Sequence, residues 1–187
     1  AVCHWMLHRH QCHISPENVI PATSVLSSMY YSLKLFVNPG DRVAIFTPIY
    51  CPFFLVIQDC QAIPIEVPLI HGFSMDLNRL EAEMKLGVKV LLLCSPHNPT
   101  GRIWKKEELT NLVNLCNRYH VQIICDETHC DFELFGHIHT PILTIKGAES
   151  SILLISASKT FNISGLCHSS VIIPDSEIRK KLENSFQ

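Results

Sequence analysis

The sequence predicts an α/β protein: a parallel or mostly parallel sheet covered by helices on both faces, a three-layer α/β/α sandwich. Three observations carry this. Strand and helix patterns alternate along the chain. The strand candidates are continuous apolar runs, as expected of strands buried on both faces. Polar residues with chemistry to offer stand at the carboxyl ends of those strands, where ligands bind in such sheets.

Val2 to His10 reads as a helix, and Asn18 to Ala22 as a short strand. Ser24 can cap a helix running to about Phe36. Asn38-Pro39-Gly40-Asp41 is a turn, in which proline fixes φ and glycine permits a positive φ. A buried strand, Arg42 to Thr47, precedes a helix from about Pro52 to Asp59 and a strand from Ala62 to Pro68. Asp76 caps a helix reaching Leu86, and Lys89 to Cys94 is the next buried strand. Glu107 to Tyr119 is amphipathic, with Leu109, Leu112, Val113 and Cys116 on one face. Val121 to Cys125, Ser151 to Ile155 and Ser169 to Ile173 are the remaining strands, before a polar helix from Ser176 to Gln187.

An apolar fraction of 47% against 17% charged residues, over 187 residues, describes one globular domain with a substantial core. The net charge of −2 excludes the strongly basic surface of a nucleic-acid binder. No apolar run approaches the ~20 residues needed to span a bilayer, so no membrane partner is expected. The nine cysteines are odd in number and sit mostly inside apolar runs, without a secretory signal. Buried, reduced thiols in a cytoplasmic protein are the expectation. The chain opens inside a helix without Met and closes in a polar helix, which reads as a piece of a longer protein.

Four side chains stand at or just past the ends of four different strands: Tyr50, Asn98, Asp126 and Lys159. Each has an ordinary explanation: a lysine after a strand is usually solvated, an aspartate there caps a turn, and Pro96-His97-Asn98-Pro99-Thr100-Gly101 could be any rigid loop. Together they would converge on one crevice. Lys159 lies among small residues that leave room for a bulky ligand, with Ser156, Ser158 and Thr160 offering hydroxyls suited to a phosphate. A buried carboxylate at Asp126 could hold a protonated ring nitrogen. Asn98 could donate to an oxyanion, Tyr50 could stack on a planar ring, and the helix start at Ser24-Val25 offers free backbone N–H groups. Cys125, His129 and Cys130 lack the paired spacing of a zinc site, and no GxGxxG follows the first strand.

Several runs, in order over nearly the whole chain, carry a resemblance. They are Trp5-Met6-Leu7-His8-Arg9-His10, Ile14-Ser15-Pro16, Pro39-Gly40-Asp41, Thr47-Pro48-Ile49-Tyr50, Ser95 to Trp104, Asp126 to Phe132, His139-Thr140-Pro141 and Ser158 to Leu166. The chain resembles the fold-type I pyridoxal 5′-phosphate enzymes of aminotransferase class I/II. Within them it is most similar to the MalY/PatB branch, the cystathionine β-lyase-like C–S lyases. The resemblance implies a large cofactor domain, residues 1–187, with a mostly parallel seven-stranded sheet whose last strand runs antiparallel. An amino-terminal arm and a carboxyl-terminal small domain, bearing the arginine for the substrate carboxylate, would lie outside it.

It also implies roles. Lys159 would hold the cofactor covalently and move the α-proton, and Asp126 would pair with the pyridinium. Asn98 would bind the phenolic oxygen with His129 nearby, Tyr50 would stack over the ring, and Ser24, Val25, Ser156 and Ser158 would hold the phosphate. The implied activity is a β-lyase releasing thiol, pyruvate and ammonia from cystathionine- or cysteine-type amino acids, in a cytoplasmic homodimer. An aminotransferase is the alternative; many carry a phosphate-binding arginine eight positions after the lysine, where this chain has Cys167. A further alternative is a non-catalytic ligand-sensing domain of a transcription regulator.

Overall fold

The computed structural model describes residues 1–185; Phe186 and Gln187, at the end of the helix expected from Ser176, lie outside the described residues. Seven strands form one sheet: β1 (Val19–Ala22), β2 (Arg42–Thr47), β3 (Ile63–Pro68), β4 (Val88–Cys94), β5 (Gln122–Asp126), β6 (Ile152–Ile155) and β7 (Ser169–Ile172). Their spatial order is β1-β7-β6-β5-β4-β2-β3. Strands β2 to β6 run parallel, and β7 is antiparallel to both of its neighbours, β6 and β1.

The continuous apolar strands are buried on both sides, as their composition requires. In β4 every residue except Lys89 is buried. Val90 and Leu92 face a core shared with Met29, Leu33, Phe53 and Ile57, whereas Leu91 and Leu93 face a second core with Trp104, Leu109 and Leu112. The first core is covered by α2 (Val25–Lys34), α3 (Pro52–Asp59) and α7 (Ser176–Ser185), the second by α1 (Val2–His10), α4 (Leu77–Lys85) and α5 (Lys106–Tyr119). Trp104 is 1% exposed, and its indole N–H donates to the Cys94 carbonyl at 2.9 Å, so the ring is buried without an unmet donor.

Most of the expected ends fall within one residue of those observed, and two features differ by more. Helix α2 stops at Lys34 rather than Phe36, because the N–H groups of both Phe36 and Val37 turn back onto the Leu33 carbonyl. A short helical turn, α6 (Ala157–Thr160), follows β6 and carries Lys159; four residues are too few to show a helical period in sequence. All nine cysteines are unpaired, six of them buried. No helix among the described residues is long and apolar enough to cross a membrane.

Candidate functional site

A cavity of about 450 Å³ opens beyond the carboxyl ends of the parallel strands. Its wall includes Ser24, Val25, Tyr50, Asn98, Asp126, His129, Ser156, Ser158 and Lys159, so every candidate picked from the sequence faces one space except Thr160, whose hydroxyl is bonded to Asp131 instead of being free for a phosphate. The volume lies in the range of small-molecule sites, about 300–1,000 Å³. A neighbouring hollow of about 550 Å³ shares Asn98 and His129 and is otherwise walled by the loop from Phe132 to His137 and by Pro96 to Ile103.

Asp126 ends β5, in register with Cys94 of β4. Its Oδ1 accepts both the backbone N–H of Thr128 at 3.0 Å and the Thr128 hydroxyl at 2.6 Å. Among the described residues nothing donates to Oδ2. Burial pushes the Asp126 carboxyl above the usual carboxylate range, with the Thr128 hydrogen bonds and His129 pulling partly back. A cation brought to Oδ2 would stabilise the charged form.

Cys94 lies beside it. Its thiol donates to the Pro96 carbonyl at 3.3 Å and accepts the Asn98 N–H at 3.4 Å, which pins the loop that presents the Asn98 amide. That loop is tied to the one carrying Tyr50: the Tyr50 N–H donates to the Asn98 carbonyl at 3.1 Å. His97 adds a second tie, its Nε2–H donating to the Pro48 carbonyl at 2.8 Å while the ring packs on Trp104. The Tyr50 side chain, 46% exposed, is held by its backbone yet open on its ring.

The opposite end is built of hydroxyls and amides. Ser24 caps α2 by accepting the Ser27 N–H at 3.1 Å, and the N–H groups of Val25 and Leu26 have no protein acceptor among the described residues. Ser156 caps α6 by accepting the Ser158 N–H at 3.1 Å and donates to the His168 carbonyl at 2.7 Å. Capped helix starts with spare N–H groups favour an anion. Lys159 is exposed on α6, and its Nζ makes no hydrogen bond or ion pair among the described residues. Burial pushes the His129 imidazole below its usual value; nearby Asp126 opposes this and Lys159 adds to it.

Sequence reasoning missed part of the wall. Thr128 sits two residues past Asp126, the spacing at which a hydroxyl and an N–H return to a carboxylate, and could have been found that way. Cys94 needs the parallel register to reach Asp126. Leu26, Phe53, Ser164 and His168 carried no signal as lining residues.

Fold and cavity define an α/β domain with a cavity at the carboxyl ends of its strands, the place where sheets of this kind bind ligands. The chain matches the family Aminotransferase class I and II over residues 1–185 and belongs to it. It is 36% identical to cystathionine beta-lyase PatB of Bacillus subtilis, over all of this chain and 50% of that protein. It is 34% identical to protein MalY of Escherichia coli, over 96% of this chain and 47% of that protein. The crystal structure of cystalysin from Treponema denticola, which contains a pyridoxal 5′-phosphate cofactor, superposes with a TM-score of 0.95 at 34% identity, covering 99% of this chain and 48% of that one. The chain thus spans about half the length of these relatives.

Proposed function

We propose that this chain is the cofactor-binding large domain of a pyridoxal 5′-phosphate-dependent C–S β-lyase. The observation that carries the reading is the single cavity in which Lys159, an incompletely bonded Asp126 carboxylate, the Asn98 amide and a hydroxyl-lined anion cradle face one another. These groups fit the cofactor's amine-reactive aldehyde, ring nitrogen, phenolic oxygen and phosphate. The likeness to a cystathionine beta-lyase and to cystalysin supports the lyase branch. The overall reaction is a β-thio amino acid plus water giving a thiol, pyruvate and ammonia.

Bound pyridoxal 5′-phosphate supplies a carbonyl that takes up amines and a pyridinium that withdraws electrons from the substrate α-carbon. Asp126 Oδ2 would accept the ring N–H and would keep that nitrogen protonated. The Asn98 amide would donate to the phenolic oxygen, and the Tyr50 ring would stack on the cofactor. Ser24, Ser156, Ser158 and the spare N–H groups of Val25 and Leu26 would hold the phosphate. Lys159 Nζ would anchor the cofactor through its aldehyde and, as an amine, would be the base placed to take the substrate α-proton. His129 stands beside Asn98 as a neutral ring, since burial disfavours its cation.

The reading extends to a homodimer, with an amino-acid substrate as the small-molecule partner, and to the cytoplasm, where six buried unpaired thiols stay reduced. The test is to give the protein, with pyridoxal 5′-phosphate, cystathionine and then cysteine, and to follow pyruvate and free thiol. Pyruvate release that is lost in Lys159→Ala is expected. Transfer of the amino group to a 2-oxo acid without pyruvate would replace the lyase reading by an aminotransferase.

A further inference from the structure

A second carboxylate, that of Asp131, lines a neighbouring hollow that shares Ser156 and His168 with the cavity. Asp131 is held by four partners from two parts of the chain, α1 and α6. Its Oδ2 accepts the Thr160 hydroxyl at 2.6 Å, its Oδ1 accepts the His10 Nε2–H at 2.8 Å, and the Trp5 indole N–H reaches both oxygens at 3.1 and 3.2 Å. Arg9 adds an ion pair at 3.8 Å. The His10 side chain is wholly buried and that of Asp131 is 10% exposed. Burial opposes the Asp131 charge, but the His10, Thr160 and Trp5 hydrogen bonds outweigh it and hold the carboxyl below the usual range.

Thr160 follows Lys159 directly. Among the described residues, its hydroxyl makes the one side-chain hydrogen bond from α6 to anything outside residues 156–168. Phe161 is held from the same direction, its ring meeting Trp5 edge-on at 5.2 Å. Both residues that follow the lysine are thus fastened to α1, one through Asp131 and one by direct ring contact. One ligand atom each of His10, Cys130 and Asp131 lie within 4.8 Å of one another, a spacing that suits a metal ion. With both Asp131 oxygens already occupied by protein donors, the group reads as a clamp and not as an ion site.

We propose that Asp131 is a positioning residue that clamps the Lys159 turn onto helix α1, acting through the Thr160 hydroxyl. The clamp fixes where Lys159 Nζ can reach, and its catalytic consequence rests on the reading of the cavity given above. A four-residue helix cannot hold itself in water, so its direction is set by what grips it. A charge-assisted hydrogen bond to a mostly buried carboxylate is a strong grip for a single hydroxyl.

The experiment compares the wild-type protein with Thr160→Val, Thr160→Ser, Asp131→Asn and the double variant Thr160→Val/Asp131→Asn. Amide hydrogen exchange over residues 157–163 reports the clamp without any cofactor. Capture of pyridoxal 5′-phosphate at Lys159, trapped by borohydride and located by mass spectrometry, reports its consequence. Thr160→Val should speed exchange and slow capture, each by roughly tenfold, the worth of one charge-assisted hydrogen bond. Thr160→Ser, which keeps the hydroxyl, should restore both rates. The double variant should be no worse over 157–163 than Asp131→Asn alone, because both changes remove the same bond. Unchanged exchange in a folded Thr160→Val, or effects that add in the double variant, would overturn the clamp. If wild-type Lys159 captures no cofactor, the reading of the cavity fails, and the exchange arm alone still decides the clamp.

Discussion

Asp126 and Glu127 are adjacent acids at the end of one strand, yet they live in opposite worlds. Successive side chains of a strand point to opposite faces. Glu127 points into the fold and is 0% exposed; its Oε2 bonds His139 Nε2 at 2.9 Å, and its Oε1 accepts the Ile142 N–H at 2.7 Å and the Cys125 thiol at 3.5 Å. Asp126 points to the cavity and is bonded by Thr128 on one oxygen only. The lesson is that a buried acid whose acceptors are all used by its own chain is part of the scaffold. One with an unused oxygen facing a cavity is built for something that comes from outside.

The comparison can be broken first on the scaffold side. Glu127→Ala leaves His139 and the Ile142 N–H without their partner, and should destabilise the fold by about 3–5 kcal/mol in chemical denaturation. On the cavity side the signs reverse. Asp126→Asn should lower cofactor-dependent turnover by about 10²–10³-fold while raising the cofactor-free melting temperature by roughly 2–4 °C, the shift that about 1 kcal/mol gives at this size. Because burial raises the Asp126 pKa, the neutral acid is the form the empty fold favours, and its stabilisation is lost as pH rises through the folded pKa. The advantage of the amide should therefore be largest near neutral pH and fade as the wild-type carboxyl protonates. A variant that melts lower than wild type at pH 7 would mean that Asp126 is scaffold after all.

Two smaller effects sharpen the picture. Ser24→Ala removes the cap of α2 and should cost about 0.5–2 kcal/mol of stability, together with weaker binding of inorganic phosphate or cofactor by isothermal titration. His97, 1% exposed, is a buried polar group of a third kind, one that must stay neutral. Burial lowers its pKa from the model-compound value of 6.5, so on acidification the unfolded chain takes the proton first. Stability should fall as pH drops from 7 toward 5.5, by at most about 1.4 kcal/mol per pH unit for this one proton. His97→Gln, which keeps a donor for the Pro48 carbonyl, should flatten that slope; an unchanged slope would assign it to other groups.

Much of the fold was readable because its strands are apolar on both faces: Val90 to Cys94 and Ile123 to Cys125 can lie only inside a covered sheet. The direction of β7 was not readable from pattern, since a pleat looks alike in both directions; it came with the family resemblance. The turn α6 escaped because Ala157-Ser158-Lys159-Thr160 is too short to show periodicity. In the cavity, residues that end strands announced themselves. Those that work through register, such as Cys94, or across 121 positions, as His10 does with Asp131, left no local trace.

The order of the strands also sets an order in time. Strand β1 has one neighbour in the sheet, β7, with Val19 opposite Ile172. A ribosome delivers the first strand long before its partner exists, so β1, which leads into Ser24, has no strand to pair with until β7 has emerged. The parallel strands between them can pair as they appear. A chain that ended between residues 161 and 168 would carry Asp126 and Lys159 and still lack β7, the strand that seats β1 beside the cavity. Competence to take a phosphate ligand should therefore arrive late in synthesis and all at once.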